Sequence, residues 1–128
     1  MLSNKYYAHR GANWIAPENT ILAFQEAFNH NFHGVELDVQ LSQDGIPYIF
    51  HDDSLFRQFS RKQQFFKTLS KDIKKLTWRK QKIPTLEEFL SLFGQKEFYL
   101  ELKIPRQANH NYLESLAKIC LNIAPKCP

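Results

Sequence analysis

Residues 34–52 read GVELDVQLSQDGIPYIFHD, and the way this stretch alternates decides the fold. Val35, Leu37, Val39 and Leu41 fall on one face, with Glu36, Asp38 and Gln40 on the other, the period of two that a pleated strand imposes. Asp44-Gly45 breaks the run and residues 46–50 are again β-prone, so the dipeptide predicts a tight turn joining two antiparallel strands. A turn centred on Asp44-Gly45 sets position 38 opposite position 51. Asp38 and His51 are then expected to be cross-strand neighbours, with Cβ atoms within roughly 5 Å.

Working outward, residues 5–8 form a short β-prone run ending at His9-Arg10-Gly11. Residues 20–29 place Ile21, Phe24, Ala27 and Phe28 at helical spacing, with Pro17 or Asn19 near the start of the helix. On the other side, Pro84 precedes Thr85-Leu86-Glu87-Glu88, a capping box in which Thr85 caps and Glu88 reaches back. Leu86, Phe89, Leu90 and Phe93 are its buried stripe, and Gly94 stops the helix. Residues 98–104 alternate again, Phe98, Leu100, Leu102 and Ile104 against Tyr99, Glu101 and Lys103, before Pro105 ends the strand. Residues 111–123 set Leu113, Leu116, Ala117, Cys120 and Ile123 on one helical face. Apart from the hairpin, strands and helices alternate, which predicts an α/β layout with a largely parallel sheet.

The 128 residues suffice for one domain, and 43% hydrophobic residues with eleven Phe exclude a disordered chain. No run approaches the ~20 apolar residues that cross a bilayer, and the first residues lack a basic segment followed by an apolar one. A cytoplasmic protein without a transmembrane segment is expected. Cys120 and Cys127 match no zinc or redox spacing and read as reduced thiols. Ten of the seventeen Lys and Arg lie between Arg57 and Lys82, where Asp72 is the only acid. These charges are scattered rather than set on one helical face. Residues 55–82 therefore read as a solvated basic excursion, with a short helix at 70–76 and Phe59, Phe65, Phe66 and Trp78 pinning parts of it. A nucleic-acid partner is not expected, although a basic strip of this kind is the feature on which a salt-sensitive nucleic-acid binder would be built.

The chemistry gathers at strand ends. Sheets of this kind bind ligands at the carboxyl ends of their strands, where His9 and Arg10 follow the first strand and Glu101 and Lys103 stand on the last. Glu36 and Asp38, two apart on one strand face, would repel and lose solvation unless compensated. One divalent cation is the simplest remedy, with Glu101 as a third oxygen ligand, and an all-oxygen set favours Mg²⁺ or Ca²⁺ over Zn²⁺. Two histidines and an arginine beside such an ion suit phosphoryl chemistry. His9 and His51 would carry protons to and from the reacting oxygens, Arg10 would grip phosphate and Lys103 would neutralise developing charge. His30, His33 and His110 lie away from any acidic pairing and read as ordinary hydrogen-bonded histidines.

His9-Arg10-Gly11, Pro17-Glu18-Asn19-Thr20, Glu36-Leu37-Asp38-Val39, Asp44-Gly45, His51-Asp52, the Ile83–Glu88 helix start and Glu101-Leu102-Lys103 together resemble the glycerophosphodiester phosphodiesterase family, in order and spacing over residues 6–104. The resemblance implies a (β/α) barrel of the phospholipase-C-like kind. It also implies hydrolysis of a small-molecule glycerophosphodiester to glycerol 3-phosphate and an alcohol. In such enzymes the neighbouring glycerol hydroxyl attacks, and water opens the resulting cyclic phosphate. One cation on Glu36, Asp38 and Glu101, His9 and His51 as acid and base, and Arg10 and Lys103 at phosphate follow from the same match. This chain departs after His51-Asp52, where Arg57-Gln58-Phe59-Ser60 stands in place of an Arg followed by Thr residues. A whole barrel takes ~250 residues. Residues 1–128 are therefore expected to be the N-terminal portion of such a domain, a partial (β/α) TIM-type barrel of about four strands. Such a chain is expected to be weakly active or inactive alone, with open edges that invite self-association. The competing reading is a non-catalytic half-barrel interaction module.

Overall fold

A computed structural model describes residues 4–123. The chain runs β1 (Tyr7–His9), α1 (Ile21–Asn29), β2 (Gly34–Leu41), β3 (Pro47–Ile49), α2 (Phe56–Phe59), a 3₁₀ turn (Phe65–Lys67), α3 (Ser70–Ile73), β4 (Thr77–Trp78), β5 (Gln81–Lys82), α4 (Leu86–Phe93), β6 (Glu97–Leu102) and α5 (His110–Ile123). β2 is the axis of the sheet. It pairs in parallel with β1, His9 against Glu36, and in parallel with β6, Asp38 against Glu101. β3 pairs antiparallel with its last residues. Val39 faces both Ile49 and Leu102, so β3 occupies the edge opposite β6, the edge β1 also uses. β1 runs up that edge and β3 runs down it, so the ends of both strands converge beside residues 36–38.

The hairpin register corrects the sequence reading. Val39 pairs with Ile49 and the Phe50 N–H donates to Asp38 O at 3.0 Å, so Phe50, not His51, stands opposite Asp38. The turn holds three residues rather than two. The Ser42 N–H donates to Ile46 O at 2.9 Å, and Gly45 adopts φ +80°, the left-handed third position of such a loop. One added loop residue shifts the pairing by one place and changes which side chain faces Asp38.

Helices α1 and α4 cover the sheet. Thr20 caps α1, its Oγ1 accepting from the Ala23 N–H at 3.2 Å, and Thr85 caps α4 through the Glu88 N–H at 3.1 Å. Thr85 also forms a β-bridge with Tyr48, which fastens the helix start to β3. Phe24 of α1 meets Phe89 of α4 edge-on at 4.9 Å over Val35, Leu37 and Val39, all buried. Gly11, at φ +77°, lets the loop after β1 lie on α1, where a Cβ would come within 2.8 Å of Ala23.

The basic excursion is not a loose one. Leu55, Phe65, Ile73 and Leu76 bury themselves with Tyr48 and Phe50 of the β3 segment in a second core, with Phe50 and Phe65 stacked at 4.8 Å. α3 is shorter than the expected 70–76 helix and ends at Ile73. The lysines and arginines of the excursion are exposed, Arg57 alone among them pairing with Asp52 and Glu18, while the apolar residues between them, with Thr68 and Ser70, are drawn in.

The face of α5 also differs from expectation. Leu116 is buried and Ile119 and Ile123 pack on the first core, while Leu113 and Ala117 are exposed. Cys120 is a free thiol; Cys127 lies outside the described residues.

The sheet does not close. β6 pairs with β2 alone among the described residues, and Tyr99 and Ile104 on or beside it are 60% and 55% exposed. No described helix is long and apolar enough to cross a membrane.

Candidate active site

The parallel pairing of β2 and β6 brings the three acids together. Ligand oxygens of Glu36, Asp38 and Glu101 all lie within 4.8 Å of one another. Asp38 is wholly buried. Its Oδ2 accepts from Asn19 Nδ2 at 3.0 Å, but its Oδ1 is buried without a hydrogen bond, and Lys103 Nζ stands off at 3.6 Å. A buried carboxylate oxygen costs free energy unless something satisfies it. A hard cation shared with Glu36 and Glu101 would do so, and three carboxylates are the donor set such a cation prefers. The acids differ in environment. Burial, then the neighbouring Asp38 charge, push the Glu36 carboxyl above its ordinary range. Glu101 is exposed and held below it by the hydrogen bond from Lys103 Nζ at 2.8 Å.

Around this cluster stand the basic groups. His9, largely exposed, holds Nε2 3.6 Å from Glu36 Oε2. The Arg10 N–H continues the β1–β2 ladder by donating to Glu36 O at 2.9 Å, and the residue takes a left-handed φ of +58° with its side chain largely buried. Its Nη1 meets Glu18 Oε2 at 2.6 Å and its Nε lies 3.5 Å from Asp38 Oδ2. His51 follows Phe50, and its Nδ1 lies 2.7 Å from Asp52 Oδ1. No hydrogen bond or ion pair among the described residues joins His9 to His51; what relates them is the converging ends of β1 and β3.

Two acids, one arginine and one asparagine escaped the sequence reading as site residues. Glu18 was visible only as part of a helix start, yet it is nearly buried and binds both Arg10 and Arg57. Burial raises its carboxyl, but the two guanidinium hydrogen bonds outweigh this and hold it below its ordinary value. Asp52 behaves alike: burial opposes, but Arg57 and His51 keep it low. Asn19, at φ +55°, presents its amide to Asp38, and only its place in Pro17-Glu18-Asn19-Thr20 hinted at a role. The segment around Arg57, where the chain departs from the family pattern, thus still supplies contacts to the site. The other histidines stand outside the site: His33 Nδ1 accepts from the Tyr6 N–H at 3.0 Å, and His30 Nδ1 sits on Glu26 O at 2.8 Å. Contrary to expectation, His30 and His110 each have an acid one helical turn away, Glu26 at 3.7 Å and Glu114 at 4.0 Å.

The model of the glycerophosphoryl diester phosphodiesterase family matches residues 9–125. A glycerophosphodiester phosphodiesterase of Caldanaerobacter subterraneus is 38% identical over 106 residues, covering 76% of this chain and 43% of that protein. One from Bacillus subtilis is 35% identical over 115 residues, covering 77% of this chain and 39% of that protein. An Oleispira antarctica phosphodiesterase, solved with its product sn-glycerol-3-phosphate, superposes with a TM-score of 0.80 at 32% identity, over 98% of this chain and 53% of that one. The chain therefore spans less than half the length of these curated relatives and about half of this solved structure. Its open sheet is an arc of a (β/α) barrel, and the chain belongs to the glycerophosphoryl diester phosphodiesterase family.

Proposed function

We propose that this site serves metal-dependent hydrolysis of glycerophosphodiesters to glycerol 3-phosphate and an alcohol. The observation that carries the reading is the acidic cluster on β2 and β6, with an unsatisfied oxygen of a wholly buried Asp38 at its centre. The product-bound relative supports the substrate class. Glu36, Asp38 and Glu101 would hold one Mg²⁺ or Ca²⁺, which when bound supplies Lewis-acid polarisation of a phosphoryl oxygen.

The remaining work belongs to the chain's own side chains. Asp52 occupies one ring nitrogen of His51, which leaves Nε2 to exchange a proton with a substrate oxygen. His9, open to solvent at the end of β1, is placed for the complementary transfer. One histidine takes the proton from the attacking glycerol hydroxyl and the other gives one to the departing alkoxide; with the roles reversed, water then opens the cyclic phosphate to glycerol 3-phosphate. Arg10 donors not engaged by Glu18, together with the Lys103 ammonium, would meet the phosphate oxygens. The converging ends of β1 and β3 support a shared task for the two histidines.

Titration with Mg²⁺ and Ca²⁺ by calorimetry tests the reading, alongside release of glycerol 3-phosphate from glycerophosphocholine. Asp38→Asn is expected to weaken cation binding by at least about 10–100-fold, since even changes in outer-shell partners cost that much. Cation binding that ignores Asp38→Asn would overturn the site.

A further inference from the structure

We propose that Arg57 is a positioning residue that sets His51 and Arg10 together through two shared carboxylates. The proposal rests on the reading of His51 as a proton carrier and Arg10 as a phosphate grip. Arg57 belongs to α2, inside the basic excursion, and touches none of the three acids of the metal cluster in its described bonds. Its Nε donates to Asp52 Oδ2 at 2.8 Å and its Nη2 to Asp52 Oδ1 at 3.1 Å, while its Nη1 pairs with Glu18 Oε1. Each carboxylate has a second partner: Asp52 Oδ1 meets His51 Nδ1 at 2.7 Å, and Glu18 Oε2 meets Arg10 Nη1 at 2.6 Å. The result is a continuous chain of charge-assisted hydrogen bonds, Arg10 to Glu18 to Arg57 to Asp52 to His51.

Residue type matters at its middle. A guanidinium offers donors in one rigid plane and can engage two carboxylates at once, which a lysine ammonium does as a point charge without fixed geometry. Both acids are held in the ionised form, and an ionised carboxylate only accepts hydrogen bonds. A proton of His51 is therefore held at Nδ1, and Nε2 is directed away from Asp52. Without Arg57, Asp52 keeps His51 as its one remaining side-chain partner and is free to rotate toward water. Glu18 likewise retains only Arg10 and Gln58.

Long-range ¹H–¹⁵N correlation spectra of the labelled chain read the tautomer of each histidine and test this without requiring turnover. In the wild type, the neutral His51 ring is expected as the Nδ1–H tautomer. In Arg57→Met that form should fall from the major to the minor species. Arg57→Lys should lie between, and His30 and His110 should not change. A folded Arg57→Met or Arg57→Lys protein with the wild-type His51 tautomer overturns the proposal, so the lysine variant carries the test if the methionine variant does not fold. Mg²⁺ affinity should stay unchanged in both variants. Failure of the wild type to bind either Mg²⁺ or Ca²⁺ would sink the functional reading while leaving the tautomer result to stand on its own.

Discussion

The sheet around β2 and the excursion over residues 55–82 reach equal burial by opposite routes. In the first, the apolar residues have a period: alternate residues on β2 and β6, and helical stripes on α1 and α4, although on β2 the polar Asp38 and Gln40 are buried as well. In the second the helices last four residues and the strands two, yet Leu55, Phe65 and Ile73 are as deeply buried as Leu37 or Phe89. Regular structure satisfies its own backbone and needs only one apolar face. Irregular chain must find partners one group at a time. Gln40 shows how: its amide donates to the carbonyls of Phe50 and Asp52 at 2.8 Å each and fastens the irregular segment that leads into the excursion to β2. The difference teaches that a few large side chains between charged residues can build a core that no periodicity announces.

The comparison breaks if the excursion unfolds on its own. Phe89→Ala and Phe65→Ala each remove a fully buried ring and are each expected to cost about 3–5 kcal/mol. Because Tyr48 and Phe50 join the second core to the β3 segment, both variants should lower one shared thermal transition. Two transitions in Phe65→Ala, with the sheet melting as in the wild type, would show the excursion to be separable.

A smaller effect concerns the charges that bridge the two regions. Glu18 and Asp52 are held below their ordinary values of 4.5 and 3.8, so their contribution is full above those values. It is lost as pH falls through the lower folded values. Arg57 is about half exposed, which limits the loss in Arg57→Met to about 1 kcal/mol near neutral pH. Chemical denaturation along a pH series should show the gap between wild type and variant closing toward acid. A gap that widens in acid would mean that the bridge does not stabilise the fold.

The smallest change falls on the regular side. Thr85→Ala removes the α4 cap and is expected to cost about 1 kcal/mol in a denaturant titration, with no change in the His51 tautomer. Any effect on His51 would tie α4 to the site more closely than its contacts indicate.

How much was legible follows from these differences. The bounds of β2, the span of α1 and the Thr85 cap of α4 could be read because period and caps are local properties, whereas the cap of α1 is Thr20 and not the Pro17 or Asn19 that the pattern suggested. Glu36 and Asp38 could be picked out because like charges two apart on a strand demand an explanation, and Glu101 because it stands with Lys103 on the polar side of the last strand. The hairpin register could not, since one residue in a turn decides it and Asp-Gly fits loops of two and of three. Glu18 and Arg57 stayed hidden because their partners are far along the chain and neither stands on a periodic element.

The sequence by itself determined the alternation of strands and helices, the family, and which acids, histidines and basic residues are available for phosphate chemistry. These are properties of composition, spacing and order. Tertiary structure alone decided that Phe50 faces Asp38, that the ends of β1 and β3 meet beside residues 36–38, and that Glu101 completes the cluster through the β2–β6 pairing. It also placed one guanidinium from an aperiodic segment between the carboxylates that hold His51 and Arg10. The physical reason is that such contacts depend on strand register and on packing between distant segments, and no local pattern encodes either one.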